Sequence, residues 1–272
     1  MDNYSDIRIK ESALTERIKA AGKLAVAFSG GTDSTYLVYK AREVLGDNVL
    51  AVTIKSQVLI DEDLKWTADF CNQIGIKQVI IDCDVFDSEQ FENNPPDRCY
   101  YCKKMDFHAI KKAAAEYGIT EVADGSNVDD EGDYRPGMRA MKELGIVSPL
   151  KESGLTKNEI RQLSKEAGLP TWDKPAAACL ASRFAYGEKI TAEGLARVAN
   201  AEKFIRDQGF KGIRVRVHGD LARIEVNENE ISLMGSDPIR KNISSELKRL
   251  GFKYVTIDMD GYRTGSMNEV LK

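Results

Sequence analysis

The sequence predicts an α/β fold followed by a smaller α+β unit, and three observations carry that reading. From residue 24 onward, short β-rich apolar runs alternate with helical patterns, the rhythm of a parallel sheet covered by helices on both faces. Between residues 168 and 189, Pro, Gly and small residues interrupt the rhythm. Beyond residue 190 the order changes to helix, two strands, helix and a last strand.

Each element has its own signal. The opening "MDNYSDIRIKESALTERIKA" is charged and amphipathic and lacks the apolar core of a signal peptide. "LAVAFS" (24–29) reads as a buried strand, followed by the helix "STYLVYKAREVLG". "VLAVTIKS" (49–56) is a second strand, with the helix "DLKWTADFCNQIG" after it. "QVIIDCD" (78–84), "EVADGSN" (121–127) and "VSPL" (147–150) complete the strand set, with helices near 104–117 and 156–168. That succession is Rossmann-like. In the second unit a helix over 191–208 precedes "GIRVRVHG" and "LARIEVN", joined by a tight "GD" turn. A helix around 238–250 then leads to "KYVTIDMD". The expected division is residues 1–175, a linker over 176–190, and residues 191–272.

Composition narrows the class. The 272 residues suffice for two modest domains or one large α/β domain, and 42% hydrophobic with 30% charged content is ordinary for a globular chain. No apolar run approaches the roughly 20 residues that cross a bilayer, so a cytoplasmic protein without a membrane partner is expected. The formal charge of −4 does not suggest a nucleic-acid binder. Five cysteines, an odd number, argue against a disulfide framework.

"SGGTDS", Ser29 to Ser34, lies between a buried strand and a helix start. Gly30 and Gly31 allow tight turning, so that several N–H groups converge on an anion beside the helix's positive end. Ser29 and Ser34 supply hydroxyls, and Asp33 is placed to hold Mg²⁺. There is no lysine of the GxxxxGK[ST] kind. The loop resembles that of the ATP pyrophosphatases (PP-loop, adenine nucleotide alpha hydrolase-like), which cleave ATP between its α- and β-phosphates and adenylate a substrate. Ser56, Ser126 and Asn127 stand at strand ends, where ligands enter an open parallel sheet; the alternative is ordinary turn residues.

"PDRCYYCKK" (96–104) places Cys99 and Cys102 just before the helix "KKMDFHAIKKAAAEYG", and Cys179 lies in the linker. Cys71 and Cys83 read as packed core residues. Two near thiols and a distant one need a fourth ligand for tetrahedral zinc, and a redox pair normally follows a strand directly. A cluster held by three cysteines leaves one iron open. On residue types alone, cluster, zinc and unrelated thiols stand level.

"DGSNVDDEGDYRPGMRAMKELGIVSPL" (124–150) and "GLTKNEIRQLSKEAGLPTWDKPAAACLASRFAYGEKI" (154–190) resemble the LarE family over nearly the whole chain. Those are ATP-dependent sulfur transferases of nickel-pincer nucleotide biosynthesis, best known for maturing lactate racemase. The resemblance implies ATP-dependent adenylation of a carboxylate of pyridinium-3,5-biscarboxylic acid mononucleotide, and its conversion to a thiocarboxylate. It implies Cys179 as the reactive cysteine and, in the three-cysteine branch, a [4Fe–4S] cluster on Cys99, Cys102 and Cys179 that carries sulfide from an unspecified source. It further implies Arg214 and Arg216 as holders of the substrate's phosphate or carboxylates, and a homo-oligomer, with hexamers known. Period-two alternation in "IRVRVH" puts Arg214, Arg216 and His218 on one face, which in a random strand would simply be solvated. Arg183, four residues after Cys179, is expected to stabilise a thiolate or anionic substrate. Glu202 is a candidate for a metal or polar contact, or a surface carboxylate. Sacrificial sulfur donation from Cys179 and a PP-loop tRNA thiolase are the alternatives.

Overall fold

The computed structural model describes residues 3–59, 61–130, 136–175 and 178–263; of the expected linker, Ala176 and Ala177 lie outside the described residues. In chain order the elements are α1 (Asn3–Ala21), β1 (Leu24–Ala27), α2 (Thr32–Leu45), β2 (Val49–Lys55), α3 (Asp61–Ile74), β3 (Lys77–Asp82), α4 (Glu89–Glu92), α5 (Arg98–Glu116) and β4 (Val122–Ala123). They continue with α6 (Pro136–Glu143), α7 (Pro149–Glu152), α8 (Lys157–Glu166), α9 (Ala192–Asp207), β5 (Arg214–His218), β6 (Leu221–Glu225), α10 (Ile231–Met234), α11 (Ile239–Arg249) and β7 (Tyr254–Ile257). Two compact units result, Met1–Val85 with Asp97–Ala177, and Phe86–Pro96 with Ala178–Lys272. Among the described residues no helix is long and apolar enough to cross a membrane.

The first unit is a parallel sheet in the order β3-β2-β1-β4. Its inner strands are apolar on both faces because both faces are covered. Leu24, Val26 and Ala51 join a core with Leu14 and Ile18 of α1, Tyr36 and Leu37 of α2, and Ile160 of α8. Their alternates Ala25, Leu50 and Val52 pack with Phe107 and Ile110 of α5 and Met141 of α6. The α8 helix begins with a capping box, Thr156 and Glu159 satisfying each other's backbone N–H groups. Strand order reverses between β1 and β4, and a doubly wound sheet opens a crevice at the carboxyl ends of such a pair.

Four expectations are corrected. "VSPL" is not a strand: Val147 makes an isolated bridge to Ala123, and Pro149 starts the short helix α7. Proline lacks the ladder donor, and its fixed φ suits a first helical position. The run over 121–127 yields only the two residues of β4, because beyond Ala123 its polar groups turn to local partners. Cys99 and Cys102 do not precede a helix but lie within α5, which starts at Arg98. Cys71 is buried as expected, whereas Cys83 is only half-buried.

In the second unit β5 and β6 form an antiparallel hairpin through Gly219 and Asp220, and β7 returns parallel to β6. Val198, Ala201 and Ile205 of α9 are buried, as are Val215, Val217, Ala222 and Ile224 of the hairpin. Phe86–Pro96 groups with this unit: Asn94 accepts from Gly187 N at 2.9 Å, and its side chain donates to Ala185 O at 2.7 Å.

Candidate active site

The Ser29–Ser34 loop joins β1 to α2. The first backbone bond of the helix is Thr35 N to Gly31 O, 2.9 Å, so the N–H groups before it are the donors a helix leaves for an anion. Gly30 has φ +73°, and a Cβ there would stand 2.9 Å from Thr67 Cγ2. Ser29 Oγ and Ser34 Oγ are 3.2 Å apart. In the segment after β4, Gly125 comes so close that a Cβ would be 3.0 Å from Ser34 N. Gly125→Ala must therefore push the opening turn of α2. We expect a loss of about 1–3 kcal/mol in a urea unfolding titration and weaker ATP binding in a parallel titration.

Asp33 has one carboxylate oxygen on Lys157 Nζ and the other buried without a hydrogen-bond partner. Burial, the largest influence, pushes its carboxyl above the usual range despite the Lys157 ammonium. Ser126 donates to Asp124, which also accepts from Ser148 Oγ at 2.6 Å. Asn127 is buried; its N–H donates to Asp130 at 2.9 Å and its Oδ1 accepts from Asp129 N at 2.9 Å. Ser56, just past β2, accepts from Leu59 N through its carbonyl at 3.0 Å, closing a turn. The loop and the segment after β4 thus meet at the crevice, through Gly125 and Ser34. Lys157 was not anticipated; no short-range pattern ties it to Asp33, 124 residues away.

Cys99 is exposed and Cys102 half-buried, three residues apart and so on one face of α5. Helix α6 holds the opening of α5: Tyr100 donates to Glu143 at 2.7 Å, and the Arg139 guanidinium lies 4.0 Å from the Tyr100 ring centroid. Gly137 is required there, since a Cβ would meet Lys103 Cγ at 2.9 Å.

In the second unit, Cys179 is exposed and opens a 3₁₀ turn over Leu180–Arg183. Arg183 is buried, and its three nitrogens are engaged. Nε and Nη2 donate to the two oxygens of buried Glu202 at 2.7 and 2.9 Å. Nη1 donates to Ala178 O at 2.8 Å, Cys179 O at 3.1 Å and Ser182 Oγ at 3.1 Å. Arg183 therefore grips the backbone that carries the thiol. Glu202 is no surface carboxylate: it also accepts from Val215 N at 3.0 Å.

Arg216 is buried rather than solvated, donating to Glu225 at 2.7 Å and to Ser182 O at 3.0 Å. Glu225, fully buried, also binds Arg223 at 3.1 Å, a role absent from the sequence reading. Arg214 is half-buried with its guanidinium 5.0 Å from the Tyr262 ring centroid. Burial, and then the like charge of Arg183, push its pKa down; an anion arriving beside it would offset that like charge. His218, on the same strand, is exposed.

A family model described as NAD synthase matches residues 7–123. The chain is 39% identical, over 96% of its length and 95% of the relative, to pyridinium-3,5-bisthiocarboxylic acid mononucleotide synthase of Lactiplantibacillus plantarum. It is 42% identical to an uncharacterized protein of Synechocystis sp., over 90% of this chain and 92% of the other. A tRNA-specific 2-thiouridylase of Rickettsia felis is 26% identical over 56% of this chain and 52% of its own.

Proposed function

From the premise that the chain belongs to the LarE family of pyridinium-3,5-bisthiocarboxylic acid mononucleotide synthases, we propose the following reaction for it. It is an ATP-using sulfurtransferase that adenylates a carboxylate of pyridinium-3,5-biscarboxylic acid mononucleotide and replaces oxygen by sulfur. The observation that carries this reading is the Ser29–Ser34 loop, whose helix-end donors lie against Gly125 at the sheet's crevice.

A carboxylate oxygen is a poor leaving group, and AMP is a good one. The loop N–H groups, Ser29 and Ser34 hold the phosphates in line, and positioning with charge neutralisation does most of the work. The substrate carboxylate attacks the α-phosphorus, and the bond to the β-phosphate oxygen breaks, releasing pyrophosphate. A sulfur nucleophile then attacks the acyl carbon, and AMP departs with the former carboxylate oxygen. Asp33, with a buried oxygen lacking a hydrogen-bond partner, is the residue that would hold Mg²⁺, an ion that neutralises phosphate charge. Arg214 orients the substrate's anionic groups; Arg216, donating to Glu225 and to Ser182 O, supports the turn after Cys179 from the same strand, and Arg183 with Glu202 positions Cys179.

Cys99, Cys102 and Cys179 are the residues that would hold a [4Fe–4S] cluster. Their thiols have the right donor chemistry, and none is in a disulfide. Among the described residues no three His, Cys, Asp or Glu side chains are gathered to hold a metal. Bound by three cysteines, such a cluster offers one iron to exogenous sulfide. Anaerobic iron–sulfide reconstitution tests this: wild type should take up iron, and Cys99→Ala should lose most of it. Equal iron content in the two would remove the cluster and leave Cys179 as a consumed donor, each spent chain lighter by one hydrogen sulfide. The reaction itself is tested by pyrophosphate release, expected with the dicarboxylate nucleotide and absent without it. Release driven by bulk tRNA would instead support a thiolase acting on RNA.

A further inference from the structure

We infer that Lys174 is a positioning residue for nucleotide binding: it sets which way the Gly30–Gly31 peptide faces. The inference rests on the Ser29–Ser34 loop holding phosphate, as proposed above. Lys174 Nζ donates to Gly30 O at 3.1 Å and to Asp63 Oδ1 at 2.8 Å, and lies 5.3 Å from the Trp66 ring centroid. A trans planar peptide points its C=O and the next N–H in opposite directions. Holding the Gly30 carbonyl on the Lys174 ammonium therefore turns the Gly31 N–H away from that lysine, where it can join the donors at the start of α2. Both flanking residues are glycine, which removes the steric bar to a flip of that peptide. A flipped peptide would present a carbonyl oxygen to phosphate where an N–H is needed.

The lysine is itself held in place. Thr171 O accepts from Thr32 Oγ1 at 2.7 Å, and Arg161 donates to Trp172 O at 2.9 Å and to Lys174 O at 2.8 Å. The segment over 171–174 is thus strapped to the phosphate loop and to α8, and Asp63 fixes the ammonium at its end. The loop that lacks a lysine of its own takes one from 144 residues away, bound to its backbone.

A charge that only attracts ATP and a clamp that orients a peptide make opposite predictions at Asp63. Calorimetric titration of ATP into wild type, Lys174→Met, Lys174→Arg and Asp63→Asn separates them. Lys174→Met should bind ATP about tenfold more weakly, with the KM for the dicarboxylate nucleotide unchanged, and Lys174→Arg should recover most of that loss. Asp63→Asn removes a negative charge near the loop but frees the lysine, so binding should weaken; a purely attractive role requires it to tighten. Thermal melts identify any variant that has not folded, and Asp63→Asn with Lys174→Arg then carry the test. Wild-type affinity in folded Lys174→Met, or tighter binding in Asp63→Asn, overturns the inference. Wild type that binds no ATP removes the nucleotide reading itself, a different failure visible in the first titration.

Discussion

Cys179→Ala should still release pyrophosphate from ATP in the presence of the dicarboxylate nucleotide, while thiocarboxylate formation falls by about a thousandfold or more. The two half-reactions use different groups. Adenylation needs the Ser29–Ser34 loop and Asp33, whereas sulfur delivery needs an accessible thiol, and Cys179 is exposed at the start of a clamped turn. The acyl-adenylate formed by the variant has only water to react with, so AMP and unchanged dicarboxylate should accumulate. Chromatography of the quenched mixture, with a pyrophosphate assay in parallel, reads both halves. Wild-type thiocarboxylate formation would exclude Cys179 from sulfur delivery.

Arg183→Met should cost about 3 kcal/mol of stability, because it leaves buried Glu202 only the Arg206 guanidinium at 3.7 Å and the Val215 N–H as partners. Arg183 is 4% and Glu202 1% exposed, so neither charge has water to fall back on. Replacing both, as Arg183→Met with Glu202→Leu, should recover much of that loss, since an apolar pair of similar volume can substitute for a buried ion pair. Recovery is incomplete because Val215 N loses its acceptor. Sulfur transfer should not return with stability: the double variant still lacks the donor that holds the Ala178 and Cys179 carbonyls. Urea unfolding of the three variants beside a thiocarboxylate assay separates the two roles. Restored activity in the double variant would reduce Arg183 to a packing residue.

The parts legible in the sequence are those whose signal is local. "SGGTDS" between a short apolar run and a helical pattern specifies a strand, a tight turn and a helix start within a dozen residues, and that strand–turn–helix order is observed. The hairpin β5–β6 was readable from alternation and the Gly219–Asp220 turn for the same reason. "VSPL" misled because a short apolar run has no period to tell strand from helix, and Pro149 decided it. The helix α5 begins at Arg98, earlier than its apolar pattern suggests, because the prolines at 95 and 96 mask where helical geometry begins. Residues 86–96 gave no sign of grouping with the second unit, since Asn94 finds its partners 90 residues on. Burial of Arg216 and Glu202 was illegible too: alternation assigns a face, but only the partners Glu225 and Arg183 reveal that the face is covered and its charges paired. Lys174 and Lys157, whose contacts span more than a hundred residues, lie beyond any spacing rule.

The carboxylate attack on ATP can be followed by isotope. The nucleotide substrate is labelled with ¹⁸O in both carboxylates, turned over with unlabelled ATP in ordinary water, and the AMP is analysed by mass spectrometry. Each thiocarboxylate formed should leave one ¹⁸O in the phosphate of AMP, since the oxygen that attacks the α-phosphorus departs with it. Thiocarboxylate accompanied by AMP free of label would mean that the oxygen leaves by another route, and adenylation of the carboxylate would be contradicted.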